Sequence, residues 1–478
     1  MAGERGKYFR IGSAPAAQNS LYRRKYYAMV NRWIRAGLGA SAGLWLAAAC
    51  GFMLSAPLAR AQQGSEPSRP RPIRERLIPD HFPFQPSLAP SWSIPVDPLG
   101  FSPPGPIYLG SRNALASMDF IGEDKLLFSF RVPGLLHRDA ANGTASDERQ
   151  IRAVLLSLPQ GTVEAETVWT LHGRMRYLWM LKDGRFLLRD GNNLLVGDAS
   201  LSVKPFLQFP GPLLWLELDP SQQFLVTDSD EPVKTDIKPG QVPAPATAAA
   251  SMDTSESDSD ADSSPDTVVR ILRRDSGKVM LVSRVRSTVH LPINSDGYIE
   301  DLRGQRWQWM LNLSYFDGGS RMLGSVDSNC DPTDDFVSEQ EILVTTCTPD
   351  GSDKLVAMTT AGRNLWIDQT PSVAVWPEIA VAADGLRIAR ETLGVSHPVN
   401  SYAPIDSDDI KGQWVTVYDA ATGDLALEAP VSPALDSGGN VAISPSGRRV
   451  AVLNAGVIQV FELPAPPSLP LSAGQPGR

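Results

Sequence analysis

The chain has 478 residues, 42% of them hydrophobic, and a formal net charge of −9. That length supports a large core, and the acidic balance excludes the basic surface a nucleic-acid binder needs to neutralise phosphate. The charge is unevenly placed: residues 1–61 hold nine basic side chains against Glu4, a net +8, so residues 62–478 carry −17.

The first predicted element is a leader. An uncharged run from Ala36 to Ala59, centred on Leu44-Trp45-Leu46-Ala47-Ala48-Ala49, follows Arg35 and ends in Ala59-Arg60-Ala61. Basic flank, apolar run and small-x-small site make residues 1–61 a secretory signal peptide cleaved between Ala61 and Gln62. The run is also long enough to span a bilayer, so a retained anchor is the alternative and the only route to a membrane. A start at Met29 would give the leader more ordinary proportions. Arg23-Arg24-Lys25 matches a twin-arginine signal in part, and Ala49-Cys50 is a poor lipoprotein acceptor because Ala47 stands where Leu is usual. The address read from this is periplasmic or secreted.

Residues 62–104 are rich in Pro and read as an extended, largely unpaired linker, because Pro lacks the ladder N–H. Residues 464–478 form a similar Pro-rich tail. Between them, residues 105–463 show seven strand–turn–strand hairpins. They begin at Ser117, Tyr177, Leu214, His290, Phe336, Glu378 and Val441, and the fourth is the least regular. Apolar–polar alternation flanks turns such as Lys182-Asp183-Gly184, Ala383-Asp384-Gly385 and Pro445-Ser446-Gly447, which suit half-buried antiparallel strands. Second pairs follow most of them, as in Val268–Val282 and Trp414–Leu427. The third unit is broken by a tract from Asp228 to Asp266, Pro/Ala-rich and then Ser/Asp-rich, with too little to bury to fold; it reads as a disordered acidic insertion.

Units of about 40–50 residues, each two hairpins, predict an all-β, seven-bladed β-propeller of four-stranded antiparallel blades, with six or eight blades left open. The last unit ends after three strands at Leu463, and a strand around Ile107-Tyr108-Leu109 is expected to supply the fourth and remove the open edge.

Cys50 leaves with the leader, so Cys330 and Cys347 remain as a pair in an oxidising compartment and are expected to form a disulfide within the fifth blade. Candidate chemistry is sparse. His81, His137, His172, His290 and His397 are widely separated and read as structural. Asp331, Asp334 and Asp335 beside Cys330 could gather calcium, but three acids in a turn read as solvated. Trp307 and Trp309 could form a stacking platform, or pack between blades. No nucleophile elbow, zinc-protease helix, Walker loop or Rossmann fingerprint is present, so no catalytic residue, cofactor or metal ligand is assigned.

Asp419-Ala-Ala-Thr-Gly423, Ala442-Ile-Ser-Pro-Ser-Gly447 and Arg449-Val-Ala-Val452 resemble the repeat of secreted bacterial WD40-like and YVTN-type propellers. Ser328-Asn-Cys-Asp-Pro332 with Cys347 resembles a feature of a secreted propeller group without assigned activity. The Trp-Asp and Gly-His pairs of eukaryotic WD40 blades are missing. The resemblance implies a fold rather than an activity. The expectation is a monomeric, non-catalytic binding scaffold for a protein, peptide or surface glycan. The alternative is an enzyme with a central-channel site, lactonase-like hydrolase or quinoprotein-like oxidoreductase, which no local motif would reveal.

Overall fold

Six of the seven hairpins pair as strands and the fourth pairs through a single bridge; the strands form seven consecutive small sheets. The structure is a computed structural model that describes residues 73–103, 114–133, 137–138, 147–231, 266–285, 288–375, 378–398 and 405–466. The leader, its Ala61–Gln62 junction and the residues around Tyr108 lie outside the described residues. No helix among the described residues is long and apolar enough to cross a membrane.

The chain is a seven-bladed β-propeller. From the innermost strand outward, the first blade is Ala116–Phe120, Lys125–Arg131, Asp147–Ser157 and Thr162–His172. The second runs Leu178–Met180, Phe186–Asp190, Asn193–Gly197 and Val203–Gln208, and the third Leu213–Leu218, Phe224–Glu231, Asp266–Arg273 and Val279–Val285. The fifth is Thr333–Ser338, Glu341–Cys347, Asp353–Thr359 and Asn364–Thr370. In the sixth, two short inner pieces, Ala374–Val375 and Ile379–Val381, both pair with Arg387–Val395, followed by Ile410–Asp419 and Leu425–Val431. The fourth blade has three full strands, Gly297–Arg303, Gln308–Tyr315 and Ser320–Asp327; its inner strand is reduced to a bridge between Ile293 and Tyr298. Pro292 beside that bridge cannot donate a ladder bond, which accounts for the irregularity visible in the sequence.

Alternation along each strand puts apolar residues on both faces of a blade, and the core lies between blades. Met118, Phe128 and Val154 of the first blade pack with Ala451, Ile458 and Val460 of the seventh. The first and second blades share Leu127, Ile151, Phe186 and Leu188, and the sixth and seventh share Val415, Val417, Val450 and Phe461. The third meets the fourth through Phe224 and Phe316, with ring centroids 5.0 Å apart. These contacts run from blade to blade and return to the start.

The closing strand comes from earlier in the chain than expected. Trp92–Pro95 pairs antiparallel with Val457–Val460 and is the outermost strand of the seventh blade. From Arg74 on, the Pro-rich stretch before it is engaged. Arg74–Glu75 adds a parallel strand to the edge of the fifth blade, and the Phe82 ring lies 5.7 Å from Trp414 of the sixth. Ser87 donates its N–H to the Glu428 carbonyl at 2.8 Å. Prolines are tolerated here because an outermost strand uses its ladder groups on one side only.

Two local features explain sequence motifs. In the Asp-Ala-Ala-Thr-Gly turn, the Asp419 carboxylate accepts from the Thr422 N–H and hydroxyl, each at 3.2 Å. Gly423 sits at φ +68°, and a Cβ there would fall 2.6 Å from the Trp366 ring of the neighbouring blade, so the turn needs glycine for both conformation and space. Trp366 donates its indole N–H to the Ala420 carbonyl at 2.6 Å. The insertion is shorter than its composition suggests: Asp228–Glu231 are strand residues paired with Asp266–Val269, so residues 232–265 leave and return at one point of the third blade.

Cys330 and Cys347 are bonded, with Cα atoms 5.5 Å apart, joining the approach to the first strand of the fifth blade to the end of its second. The bridge closes a loop with a sequence separation of 17. Replacing both cysteines with serine is therefore expected to cost about 3 kcal/mol, read as a lower denaturant midpoint with an unchanged far-ultraviolet spectrum. Equal stability of the variant would contradict this.

Candidate functional site

The innermost strand of each blade faces the central channel, and two groups of ionisable side chains gather on these strands, at their approaches and on the strands next to them. Asp119 and Glu217 are each the penultimate residue of their inner strand, and Asp335 lies on the inner strand of the fifth blade. Asp119 alternates with Met118 and Phe120, which belong to the core between the first and seventh blades.

One group spans the first, second and sixth blades. Arg176, just before the second blade, places Nη1 2.6 Å from Oε1 of Glu378, just before an inner piece of the sixth. Its guanidinium also lies 5.6 Å from the Trp179 ring centroid. The pair joins residues 202 apart in sequence, from blades separated around the ring by the first and seventh. Asp119 accepts from the Ser117 hydroxyl at 2.6 Å; desolvation pushes its carboxyl up to about 7, against the pull of Arg176. Glu391, 2% exposed, is held well above the usual carboxyl range by burial and then by the Glu378 charge. It accepts from the Gln413 amide at 2.9 Å and from the backbone N–H groups of Gly439 and Val441. Gly438 (φ +68°) has no room for a side chain, since a Cβ would sit 2.9 Å from Glu378.

The other group spans the third to fifth blades around His290. Nδ1 of His290 is 3.2 Å from Oε2 of Glu217, and Nε2 is 3.5 Å from Oδ1 of Asp335 and also meets the Asp334 carbonyl. The Trp215 ring stands edge-on behind the imidazole, 5.9 Å away at 79°. Burial pushes the Glu217 and Asp228 carboxyls up to about 7. Burial alone would lower His290, but the charges of Glu217 and Asp335 carry the imidazole well above its ordinary range. Asp334 is raised by burial and by the Asp301 carboxyl facing it.

These positions revise several sequence expectations. Asp334 and Asp335 lie in a strand, and Asp334 is 1% exposed rather than solvated. His290 sits at the centre of a cluster instead of serving as an isolated structural histidine. Trp309 is buried between blades and donates to the Ser328 carbonyl at 3.1 Å, whereas Trp307 is exposed, so the two make no stacking platform. Of the other histidines, His172 pairs with Asp190 at 2.7 Å and His81 is exposed; the side chain of His137 lies outside the described residues. His397 meets both the Ser396 hydroxyl and Asp409 through the same Nδ1, at 3.0 and 3.3 Å. A charge-relay arrangement needs the carboxylate and the hydroxyl on opposite ring nitrogens, so this trio lacks that geometry.

No family model matches the sequence, and no curated protein matches it. Solved structures similar to it include the acylaminoacyl peptidase of Pyrococcus horikoshii, at 10% identity and a TM-score of 0.43. That match covers 72% of this chain but only 50% of the peptidase, so the chain spans about half the length of that protein. The β-propeller domain of the Trilobed protease from Pyrococcus furiosus matches at 10% identity over 73% of this chain and 95% of that one, with a TM-score of 0.40. Sqt1 of Chaetomium thermophilum, bound to the N-terminus of ribosomal protein L10, matches at 11% identity over 74% and 98%, with a TM-score of 0.36. The fold itself is read from the strand pairing.

The raised Asp119 carboxyl has a consequence for stability. Between the unfolded value near 4 and the folded value of about 7, the folded state holds a proton that the unfolded state has released. Asp119 therefore favours folding most at low pH, and that contribution is lost as pH rises through the folded value. From about pH 5 to about pH 8, thermal melting should fall more in the wild type than in Asp119→Asn. Parallel pH profiles for the two proteins would contradict this.

Proposed function

We propose that the protein is a non-catalytic binding scaffold of the extracytoplasmic space whose channel receives a basic side chain from a protein or peptide partner. The observation that carries this reading is the convergence of Asp119, Glu378 and Glu391, from the first and sixth blades, around the single guanidinium of Arg176. Arg176 is about half exposed and ion-paired to Glu378, whereas Asp119 and Glu391 are held toward their neutral forms. A second cation entering beside Arg176 would restore their charge at little further desolvation cost, and the strong backbone and amide bonds to Glu391 keep the acceptor in place. The −17 charge of residues 62–478 attracts cationic partners and repels anionic polymers.

Peptides identical except for Lys, Gln or Glu at one position, measured calorimetrically against the full chain, test the reading. Lys-bearing members are expected to bind at least about tenfold more tightly than Glu-bearing ones, with the preference lost in Glu378→Gln. Equal affinities would contradict the cation reading. Turnover of lactones, esters or dye-linked oxidation substrates, abolished by a channel substitution, would replace the scaffold with an enzyme.

A further inference from the structure

We propose that Glu217, His290 and Asp335, on the opposite side of the ring from Arg176, bind a divalent transition-metal ion of the zinc class. The three residues come from separate parts of the chain, and one ligand atom from each lies within 4.8 Å of the others. The Nδ1–Oε2 separation of 3.2 Å between His290 and Glu217 is close to the edge of a tetrahedron with metal–ligand bonds of about 2.0–2.1 Å, roughly 3.3 Å. Glu217 and Asp335 sit on paired inner strands, so two of the three ligands are anchored by the sheets themselves.

The imidazole turns Nδ1 toward Glu217 and Nε2 toward the Asp334 backbone carbonyl, with Oδ1 of Asp335 also 3.5 Å from Nε2. In the metal-bound state Nε2–H would donate to that carbonyl and Nδ1 would ligate beside Glu217, with Asp335 reaching in from the Nε2 side of the ring. Trp215 backs the ring.

Charge supplies an independent argument. Asp228 is fully buried; its Oδ2 accepts from the Val289 N–H at 2.7 Å, but no donor among the described residues reaches Oδ1. Asp334 faces the Asp301 carboxyl, and no N–H or hydroxyl among the described residues reaches either of its oxygens. Oε2 of Glu217 faces Nδ1 of His290 at 3.2 Å. No Arg or Lys among the described residues is ion-paired with these three, and His290 is the one cationic side chain seen beside them there. A dication bonded to Glu217 and Asp335 would give this group of carboxyl oxygens the positive partner that the surrounding side chains do not provide. The nitrogen ligand favours zinc-class ions over calcium, which takes oxygen ligands.

The test strips the full chain of metal with EDTA and titrates it with Zn²⁺ calorimetrically. One ion per chain is expected, with a dissociation constant on the order of 1 μM or tighter, weakened about 100-fold in Glu217→Gln and His290→Gln. Binding should be unchanged when residues 233–264, the other acid-rich segment, are removed. Should His290→Gln fail to fold, the visible spectrum of the Co²⁺-loaded unaltered chain decides: intense bands of low coordination number support the site, and weak bands like those of aqueous Co²⁺ overturn it. Absence of saturable Zn²⁺ uptake, uptake indifferent to both substitutions, loss with the acidic segment, or equal affinity for Ca²⁺ would each overturn the proposal. In that event the imidazolium alone bridges the two carboxylates.

Discussion

Pairing of Trp92–Pro95 with Val457–Val460 is the contact on which the rest of the structure depends. A blade cannot bury both of its apolar faces alone, so each relies on the next, and an open ring would leave two faces bare. Supplying the outer strand of the last blade from the beginning of the chain ties the two ends together. Ile94 and Val96 from this segment join the core shared by the first and seventh blades, so closure is hydrophobic as well as hydrogen-bonded. The preceding residues extend the same device, crossing the fifth and sixth blades before reaching the seventh.

Closure also determines where charge can go. The inter-blade layers are filled by Leu, Val, Ile and Phe, and the ionisable residues of the inner strands and their surroundings meet where several blades bring them together. Arg176 and Glu378 meet across the ring only because it is complete. The grouping around His290 likewise needs the third, fourth and fifth blades in fixed relation. Partial desolvation at the axis shifts these groups from their solution behaviour, which makes a channel lined by few residues chemically distinct from the outer surface.

Much of the fold was legible because it is local. A hairpin such as Tyr177–Leu188 announces itself through alternation and an Asp-Gly turn, and even the irregular fourth unit was marked by Pro292. The disulfide followed from two remaining cysteines flanking one hairpin. The closing strand was hidden because proline content masks an edge strand. Composition places Asp228 in the insertion because it cannot separate a buried strand acid from a solvated one. The channel groups were hidden for a related reason: Asp119, Arg176 and Glu378 carry no shared local pattern, and only ring geometry unites them. The Asp334-Asp335 pair stands out in the sequence, but its burial against His290 is a tertiary fact.

Closure of the ring by the N-terminal strand is tested most directly by comparing thermal unfolding of a chain that begins at residue 70 with one that begins at residue 97. Loss of the strand and of Ile94 from the core should lower the melting temperature by on the order of 10 °C and broaden the transition. A shorter chain that melts as sharply and at the same temperature would contradict the account.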